Sequence, residues 1–462
     1  MKKNVLFLNP PYPVAIYRSI MCNQISKAKY CWQPHDFMLI SSIIRAYANC
    51  YFLDATAGAH EADDIKQFIS DKNINILFAS TGSICFDEDY AFLSYIRKSF
   101  PNLKIFIIGD ICFDAGLSKK ILTTADAIIV NPLEPELVQL INGEQTLSPT
   151  IIKEVRPSEN GVFKISSITN LPPIKPPLHE LFISPRYRSP FIKRKKYTTI
   201  ITQFGCPFKC SYCPCSKVDV TYKNLDSLKK ELDYVQSLNI KEIYIGDQTF
   251  GLPPKVADEI LNLLISRYNF SWHCYTHPAL AAREDFAAKL KQAGCHTAII
   301  GIDSVNPEIL KNYNRFYNLE QINQAVENLK KHKIKICADF IIGLENETAE
   351  DIKNTINYAC ESGISYASFN IAAPLMGSSF RDNEEEWPTD VDTTGSRTIV
   401  QIGQIPKEEL IKLRNHAIKR FYFRPGYLLK SILEIHSFEE LLIKTGEGFS
   451  LAKKSLLKKP YK

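Results

Sequence analysis

Residues 198–215 read TTIITQFGCPFKCSYCPC, an apolar stretch followed at once by a loop with three closely spaced cysteines. Cys206, Cys210 and Cys213 have the spacing C-x3-C-x2-C. Three thiolates on one loop can bind three irons of a cubane iron–sulfur cluster and leave the fourth iron open. An open coordination position lets a metal site bind a reactant rather than only hold the fold.

Three other kinds of site fit the cysteines taken alone. A structural zinc site needs a fourth ligand, which Cys215 or a distant histidine can supply. An electron-transfer cluster of the ferredoxin type also needs a fourth cysteine, and a redox pair needs only Cys210 and Cys213. The position of the loop in the fold therefore has to decide between these sites.

The loop lies at the start of a regular alternation of apolar strands and helix-compatible stretches. Six such units predict a partial version of the parallel barrel, whose chemistry lies at the carboxyl ends of its strands. The candidate strands are Thr198–Thr202, Glu242–Ile245, Trp272–Tyr275, Thr297–Ile300, Cys337–Ile342 and Tyr366–Ile371.

At this loop the sequence closely resembles the radical S-adenosylmethionine (SAM) superfamily, with Tyr212 as the aromatic residue before the last cysteine. Further resemblances follow in barrel order: YIGDQTF at 244–250, GIDSVNPEIL at 301–310, FIIGLENET at 340–348 and PLMGSSF at 374–380. Asp303 replaces the usual Glu, and Glu345-Asn346 replace the usual Pro-Gly. The resemblance implies that Cys206, Cys210 and Cys213 hold a [4Fe-4S] cluster. It implies SAM contacts from Tyr212, Gly246, Asp247, Asp303, Ser304 and Gly343.

In that family the open iron chelates the amino and carboxylate groups of SAM. One electron from the cluster then cleaves the sulfur–carbon bond to give a 5′-deoxyadenosyl radical. The resemblance therefore implies an enzyme that also needs a reductant such as flavodoxin or ferredoxin.

The first 140 residues or so show a second alternation of strands and amphipathic stretches, typical of a Rossmann-like parallel sheet of five strands. Ligands of such sheets lie beyond the carboxyl ends of the strands. The candidate strands are Asn4–Leu8, Cys50–Leu53, Ile74–Ala79, Lys104–Ile108 and Ala127–Val130.

This first part together with the barrel resembles the cobalamin-binding branch of the superfamily. The resemblance is carried by LFLNPPYP at 6–13, FLDAT at 52–56, FIIGD at 106–110, VNPLEPELVQLI at 130–141 and FYFRPGYLLKSI at 421–432. It implies that a corrin lies over the barrel mouth. The implied cobalamin contacts are Asn9, Pro10, Asp54, Thr81, Gly82, Ser83, Gly109, Asp110, Asn131 and Glu134.

The chain departs from the branch in several places. The motif D-x-H-x-x-G is absent, and His60 follows Asp54 at the wrong spacing, so no lower-axial histidine comes from that motif. Asn131-Pro132 stand in place of the usual Gly-Glu, and Asp110-Ile111 follow Gly109. A front domain that binds no corrin, or binds part of a substrate, is the alternative.

Length and composition set the outline of the molecule. The chain has 462 residues, 45% hydrophobic and 23% charged, with a formal net charge of +6. This length predicts two or three domains. The strand alternations and the resemblance together imply an α/β protein with a cobalamin-type domain at 1–145, a linker at 146–195, a partial radical SAM barrel at 196–385 and a mostly helical region at 386–462. We expect no signal peptide, no transmembrane segment, a cytoplasmic location and no nucleic-acid partner.

Thirteen cysteines in a cytosolic chain favour metal binding, catalysis or core packing over disulfides. Single cysteines beside apolar residues, such as Cys50, Cys274 and Cys295, are expected to be core residues. Cys215 is close to the loop and is a weaker candidate for a catalytic thiol. His273 and His277 follow a barrel strand and point in similar directions without implying a metal pair.

The cobalamin resemblance implies a methyltransferase that acts on an unactivated carbon, less often phosphorus, of a small molecule or lipid intermediate. Ring closure, rearrangement or oxidation with the same cofactors is one alternative. A methylthiotransferase fits poorly, because Cys22, Cys31 and Cys50 do not match its additional cluster. A non-catalytic iron–sulfur or zinc scaffold is the alternative outside enzymes.

Overall fold

The computed structural model describes residues 2–26, 31–155, 165–168, 171, 173–189, 191–381, 391–392, 397–398 and 401–433. Among these residues no helix is both long and apolar enough to cross a bilayer. The amino-terminal elements are β1 (Lys3–Tyr12), β2 (Ile16–Ser19), β3 (Cys22–Ile25), α1 (His35–Ile44), β4 (Ala48–Thr56), α2 (Ala62–Asp71), β5 (Ile76–Ser80), α3 (Phe86–Ser99), β6 (Lys104–Ile108), α4 (Ala115–Ile121), β7 (Ala127–Ile129), α5 (Leu137–Asn142), β8 (Ile151–Ile152) and α6 (His179–Phe182).

The front sheet has the strand order β4-β1-β5-β6-β7-β8. Residues 5–8 of β1, all apolar, are fully buried because helices cover both faces of a parallel sheet. The prediction of a parallel front sheet is confirmed. The predicted count of five strands was one short, because the two isoleucines of β8 pair antiparallel with β7 and cover its edge. This strand lies within the predicted linker.

A hairpin of β2 and β3, absent from the sequence prediction, follows the first strand of the front sheet. After it comes α1, whose residues are nearly all buried. Phe37 of α1 packs against Phe7 at a ring distance of 5.3 Å, and Phe182 of α6 packs against Phe7 at 6.1 Å. Helices α1 and α6 therefore pack on the same face of the front sheet.

The second half contains the barrel strands, the helices around them and a helical end. Its elements are β9 (Tyr197–Ile200), β10 (Gln203–Phe204), β11 (Thr221–Tyr222), α7 (Leu225–Ser237), β12 (Glu242–Phe250), α8 (Pro254–Arg267), β13 (Ser271–Thr276), α9 (Pro278–Ala281), α10 (Glu284–Gln292), β14 (Cys295–Asp303), α11 (Pro307–Asn312), α12 (Leu319–Lys331), β15 (Lys335–Ile342), α13 (Ala349–Glu361), β16 (Tyr366–Ile371), β17 (Val391–Asp392), β18 (Arg397–Thr398), α14 (Lys407–Tyr422) and α15 (Pro425–Leu433).

The barrel strands pair in the order β16-β15-β14-β13-β12-β9, every pair parallel. This confirms the predicted partial barrel of six strands. The periodic apolar faces of α12 and α13 pack into a core with the strands, because such a stripe is stable only against another apolar surface. All carboxyl ends of these strands therefore meet at one end of the barrel.

The predicted helical end is seen in α14 and α15, while residues 434–462 lie outside the described residues. Tyr422 at the end of α14 donates a hydrogen bond to the carbonyl of Ala367 at 2.8 Å, and α14 thereby closes the outer edge at β16. The domain boundaries at 145, 195 and 385 stay predictions.

Candidate active site

The cysteine loop, residues 205–215, begins directly after β10. Gly205 has φ +93°, and a Cβ there would lie 2.6 Å from the carbonyl oxygen of Asp219, so only glycine fits this turn. Pairing of β10 with β11 fixes both sides of the loop. The loop thus leaves the barrel at the carboxyl end of its first strand.

The thiols of the cysteine loop are buried or partly buried. Cys206 is 8% exposed and Cys210 6%. Burial raises the pKa of Cys206 to about 11 and raises that of Cys210 above its usual value. A positively charged metal group would stabilise these thiolates, as binding of a metal releases the thiol protons.

The spacing of the thiols bears on the choice between zinc and a cluster. Within the described part of the chain, the one trio of histidine, cysteine or carboxylate ligand atoms that lie within 4.8 Å of one another is elsewhere in the barrel. A tetrahedral zinc ion holds its sulfurs ~3.8 Å apart. The sulfurs of Cys206, Cys210 and Cys213 do not all lie within 4.8 Å of one another, which suits thiolates that bind different irons of a cubane.

Asp303 is the centre of a buried hydrogen-bond network beside Cys210. Its carboxylate accepts a hydrogen bond from the Tyr212 hydroxyl at 2.6 Å and pairs with Arg315 Nε at 2.7 Å. Arg315 Nη1 lies 3.2 Å from the sulfur of Cys210 and Nη2 donates to the carbonyl of Gly301 at 2.7 Å. Tyr317 donates to the same carbonyl at 2.7 Å.

Arg315 and Tyr317 were missed by the sequence analysis. They lie in KNYNRFYN at 311–318, after α11, where no motif marks them. An arginine followed by aromatic residues is a common surface pattern, so only the fold reveals that Arg315 is buried against a cysteine sulfur.

Gly246 and Asp247 lie in β12 directly after residues 242–245, which pair with both neighbouring strands. A Cβ on Gly246 would lie 2.7 Å from Thr199 and 3.2 Å from His35, so a side chain there would collide with both. Asp247 accepts hydrogen bonds from the backbone N–H of Thr202 at 2.7 Å and of Gln203 at 3.1 Å. Burial raises the pKa of Asp247 to about 6, although these hydrogen bonds oppose the rise. Asp247 thus holds the strand that leads into the cysteine loop.

Ser304 and Gly343 are placed differently from the other predicted SAM contacts. Ser304 is fully buried and its hydroxyl accepts from the backbone N–H of Asn306 at 3.2 Å. Gly343 has φ +81°, and Glu347 accepts hydrogen bonds from its N–H at 2.6 Å and from that of Leu344 at 3.2 Å. Burial raises the pKa of Glu347 to about 7. Glu347 was not predicted.

A cavity of about 380 Å³ lies between the hairpin and the barrel mouth. It is lined by Tyr212 and Cys213 of the cysteine loop and by Gly246, Asp247 and Asp303 at the strand ends. Ser304 and Gly343 are not part of the lining. The hairpin contributes Tyr17 and Gln24, the segment before α1 contributes Trp32, and α1 contributes His35. The mixture of aromatic rings and a few polar groups is typical of a small-molecule site.

The other candidates near the cavity are buried in packing contacts. His277 stacks on Phe208 of the cysteine loop at a ring distance of 4.1 Å, and burial lowers its pKa to about 3. Cys215 lies 3.3 Å from the sulfur of Met21 and 3.6 Å from Gln248 Oε1. The contact with Met21 joins the cysteine loop to the hairpin, and the contacts with His277 and Gln248 join it to the barrel.

The predicted cobalamin contacts lie together at the carboxyl edge of the front sheet. None of the ten lines the cavity. Asn9 accepts from Ser80, and Asp54 from Tyr187, each at 2.6 Å. The hydroxyl of Ser83 donates to Asp110 at 2.7 Å. Glu134 accepts from the hydroxyls of Ser148 and Thr150 at 2.7 and 2.6 Å. Pro10 lies within β1.

The polar groups of the same edge fit a polar cofactor. Several buried polar atoms there have no hydrogen-bond partner: both amide atoms of Asn23, the hydroxyl of Thr81 and the amide nitrogen of Asn131. Gly82 and Gly109 leave no room for a Cβ, which would lie 1.8 Å from the Asn23 amide and from the Thr81 carbonyl respectively. The glycines let this edge pack closely on itself, and the unused donors and acceptors suit the amide groups of a corrin.

Comparison with known proteins gives two kinds of similarity. Residues 200–359 match the family model of the radical SAM superfamily. An uncharacterized methyltransferase from Pyrococcus horikoshii is 25% identical over 429 residues, which cover 88% of this chain and 91% of that protein. Bacteriochlorophyllide d C-8(2)-methyltransferase from Chlorobaculum tepidum is 22% identical over 381 residues, covering 78% of this chain and 81% of that enzyme.

Two solved structures have a similar fold. The radical SAM methyltransferase TsrM from Kitasatospora setae, solved with cobalamin and a [4Fe-4S] cluster, has a TM-score of 0.65 at 16% identity and covers 98% of this chain and 99% of that one. The cobalamin-dependent SAM radical enzyme OxsB, solved with aqua-cobalamin and SAM, has a TM-score of 0.67 at 15% identity and covers 98% and 72%. At these identities the likeness shows the fold.

Proposed function

We propose that this chain, whose residues 200–359 form a radical SAM domain, is a cobalamin-dependent methyltransferase that methylates an unactivated carbon of a small molecule or lipid intermediate. The observation that carries the proposal is the cavity of about 380 Å³, since the cysteine loop lines it on one side and the hairpin in front of the front sheet on the other. The named methyltransferases among the relatives support the same reaction class.

Each part of the chain has a defined task in this proposal. Cys206, Cys210 and Cys213 would hold the cluster, and the strand ends with Gly246 and Asp303 would hold SAM. The front-sheet edge at Thr81, Gly82 and Asn131 would hold the cobalamin. When bound, these groups supply the electron that cleaves SAM and the carrier of the methyl group.

The protein residues orient the reactants and exclude water. Burial of Asp303 and Arg315 within one ion pair keeps charge fixed beside Cys210, so that no solvent has to reorganise during the reaction. Aromatic rings of Tyr17, Trp32 and Tyr244 line the cavity and would shield a radical from solvent.

We propose in addition that a flavodoxin or ferredoxin reduces the cluster and that the enzyme works in the cytoplasm. Reduction of such clusters needs a low-potential donor. Reduced flavodoxin or reduced ferredoxin should therefore support SAM cleavage in place of a chemical reductant such as dithionite. If neither protein does so, a reductant of this kind is excluded.

The test is anaerobic reconstitution with iron, sulfide and hydroxocobalamin, then incubation with SAM and a strong reductant. We expect bound corrin, 5′-deoxyadenosine and S-adenosylhomocysteine. Deoxyadenosine without bound corrin would exclude the cobalamin part. Bound corrin and deoxyadenosine without S-adenosylhomocysteine would instead favour ring closure, rearrangement or oxidation.

Two cysteine variants are the matched controls for this assay. Replacing Cys206, Cys210 and Cys213 together by alanine should abolish deoxyadenosine formation and leave corrin binding. Cys360→Ala, at a half-buried cysteine of α13, should change neither. Zinc in place of iron without SAM cleavage would overturn the radical SAM assignment itself.

A further inference from the structure

Three buried side chains meet at the end of the barrel opposite the cysteine loop. Glu242 is the first residue of β12, His273 the third of β13 and His296 the second of β14. All three are at most 5% exposed, and each offers a ligand atom within 4.8 Å of the other two. None of the three lines the cavity.

A β-bulge brings His296 into the trio. Trp272 pairs with Cys295 and the next residue, His273, pairs with Thr297, so His296 is an extra residue in β14. Such bulges re-aim one side chain and are rare in parallel pairs. The bulge allows the His296 ring to approach Glu242, to which its Nε2 is hydrogen-bonded at 3.0 Å.

Two ligand atoms of the trio are buried and have no partner. They are Oε2 of Glu242 and Nδ1 of His273. A buried polar atom without a partner costs about 1–3 kcal/mol. An ion bound between the three side chains would give both atoms a partner. It would replace one existing hydrogen bond, the bond between Glu242 and His296.

The outer nitrogens of both imidazoles are already held by hydroxyl groups. His273 Nε2 lies 3.2 Å from Ser189 Oγ, and His296 Nδ1 lies 2.8 Å from Thr297 Oγ1. Metal-bound histidines almost always have such a second hydrogen bond, which fixes the ring. Burial lowers the pKa of both histidines, and a neutral imidazole is the form that binds metals.

The surrounding charge limits which ion can bind. Lys193 and Lys335 face His296 closely enough to interact with it electrostatically, and Glu242 is the single carboxylate of the trio. These ammonium groups oppose a cation, and Mg²⁺ and Ca²⁺ prefer oxygen ligands, of which the trio offers a single carboxylate. Two imidazoles and one carboxylate favour a transition metal, with zinc the most available.

We propose that Glu242, His273 and His296 bind a divalent transition-metal ion of the zinc class, which closes the lower end of the barrel. The ion would join β12, β13 and β14 beneath the cavity floor, where His273 stacks on Tyr244 at a ring distance of 4.7 Å. Three protein ligands leave the fourth position of the ion to water. Because the face at the amino ends of barrel strands serves stability, the role that we assign is structural.

The test uses the full chain expressed with added zinc and purified anaerobically. Elemental analysis should find about one zinc per chain beside the cluster iron. X-ray absorption at the zinc edge should show nitrogen and oxygen ligands without sulfur. Glu242→Gln should lose the zinc, while the triple alanine variant of the cysteine loop should keep it.

Two further variants separate metal binding from folding. Glu231→Gln removes a carboxylate from another buried pair, His179–Glu231, in which Lys223 stands in place of a second histidine. It should keep the zinc. Ser189→Ala should fold and weaken zinc binding roughly 10- to 100-fold in a chelator competition. Absence of zinc from the wild type, sulfur ligands, or unchanged affinity in Ser189→Ala would overturn the proposal.

Discussion

The guanidinium of Arg315 contacts the cysteine loop at one of its sulfurs. It donates to the sulfur of Cys210 at 3.2 Å and pairs with Asp303 at 2.7 Å. Hydrogen bonds to cluster thiolates raise the reduction potential, because they stabilise the more negative reduced state. Arg315, which also lines the cavity, is therefore expected to tune the cluster.

We expect Arg315→Gln to make the cluster potential more negative by about 40–90 mV, the equivalent of about 1–2 kcal/mol. An EPR-monitored redox titration of the reconstituted enzyme measures it. Arg283→Gln, at an exposed arginine paired with Asp285, should leave the potential unchanged. An unchanged potential in Arg315→Gln with lost activity would mean that Arg315 only maintains the structure.

Glu347, in the loop after β15, makes the stability of the fold depend on pH. Its folded pKa of about 7 lies above the ordinary value of 4.5, because burial disfavours the charge. The folded chain then keeps a proton that the unfolded chain has lost. The stability that comes from the protonated Glu347 carboxyl is fully present below about pH 4.5 and is lost as the pH rises through about 7.

Glu347→Gln should remove this pH dependence, since an amide does not titrate and can still accept from Gly343 and Leu344. At pH 8 the variant should exceed the wild type in the free energy of unfolding by at most roughly 3 kcal/mol, and at pH 4.5 by little. Denaturant unfolding of the apoprotein across this range tests it, with the exposed Glu350→Gln as control. A difference between Glu347→Gln and the wild type that does not depend on pH would contradict the assignment.

The cysteines of the motif could be identified from the sequence, whereas the side chains that contact them could not. Cys206, Cys210 and Cys213 follow a strand, and their spacing alone predicts a shared loop; the family match confirms the radical SAM resemblance. Arg315 could not be predicted, because its role depends on α11 returning the chain to Cys210 across 105 positions. The predicted cobalamin contacts are at the expected sheet edge, and their roles stay predictions.

Among the elements, the hairpin of β2 and β3 has the largest effect on the site. It places Asn23 against Gly82 and contributes Tyr17 and Gln24 to the cavity. No sequence pattern indicated it, since Ile20-Met21 between the strands lacks the glycine or asparagine of common hairpin turns. The long strands of both sheets were predictable because their apolar runs are buried on both faces.

The edge between β5 and β6 allows a test of the corrin site. Gly109→Ala would place a Cβ 1.8 Å from the Thr81 carbonyl, so the backbone of one strand end must move. We expect a loss of stability of about 1–3 kcal/mol and loss of most bound corrin. The corrin spectrum of the reconstituted protein measures the second effect.

The matched control is Gly426→Ala on α15, where a Cβ meets nothing within 4 Å. It should bind corrin as the wild type does. Iron content and SAM cleavage should persist in Gly109→Ala, because the cysteine loop belongs to the barrel. Full corrin binding in that variant would place the cofactor away from this edge.

At the scale of the whole molecule, buried polar contacts add to the apolar packing that joins the two halves. Gln33 is fully buried and its amide nitrogen donates to the carbonyl of Phe182 at 2.9 Å. Its amide oxygen accepts from the N–H of Thr199 at 2.7 Å. One side chain before α1 therefore joins α6 and β9, and His35 beside it packs against Gly246.

Gln33→Ala should slow methyl transfer relative to the radical cleavage of SAM in the proposed reaction. Loss of both hydrogen bonds leaves buried backbone groups unpaired and frees α1 to shift relative to the barrel mouth. Because a shift of about 1 Å can slow a reaction 100-fold, we expect the ratio of S-adenosylhomocysteine to 5′-deoxyadenosine to fall roughly tenfold while iron and corrin remain bound. Gln67→Ala, at an exposed glutamine that bonds only Asp71, is the control. An unchanged ratio in Gln33→Ala would mean that the contact between the halves supports folding and does not align the reactants.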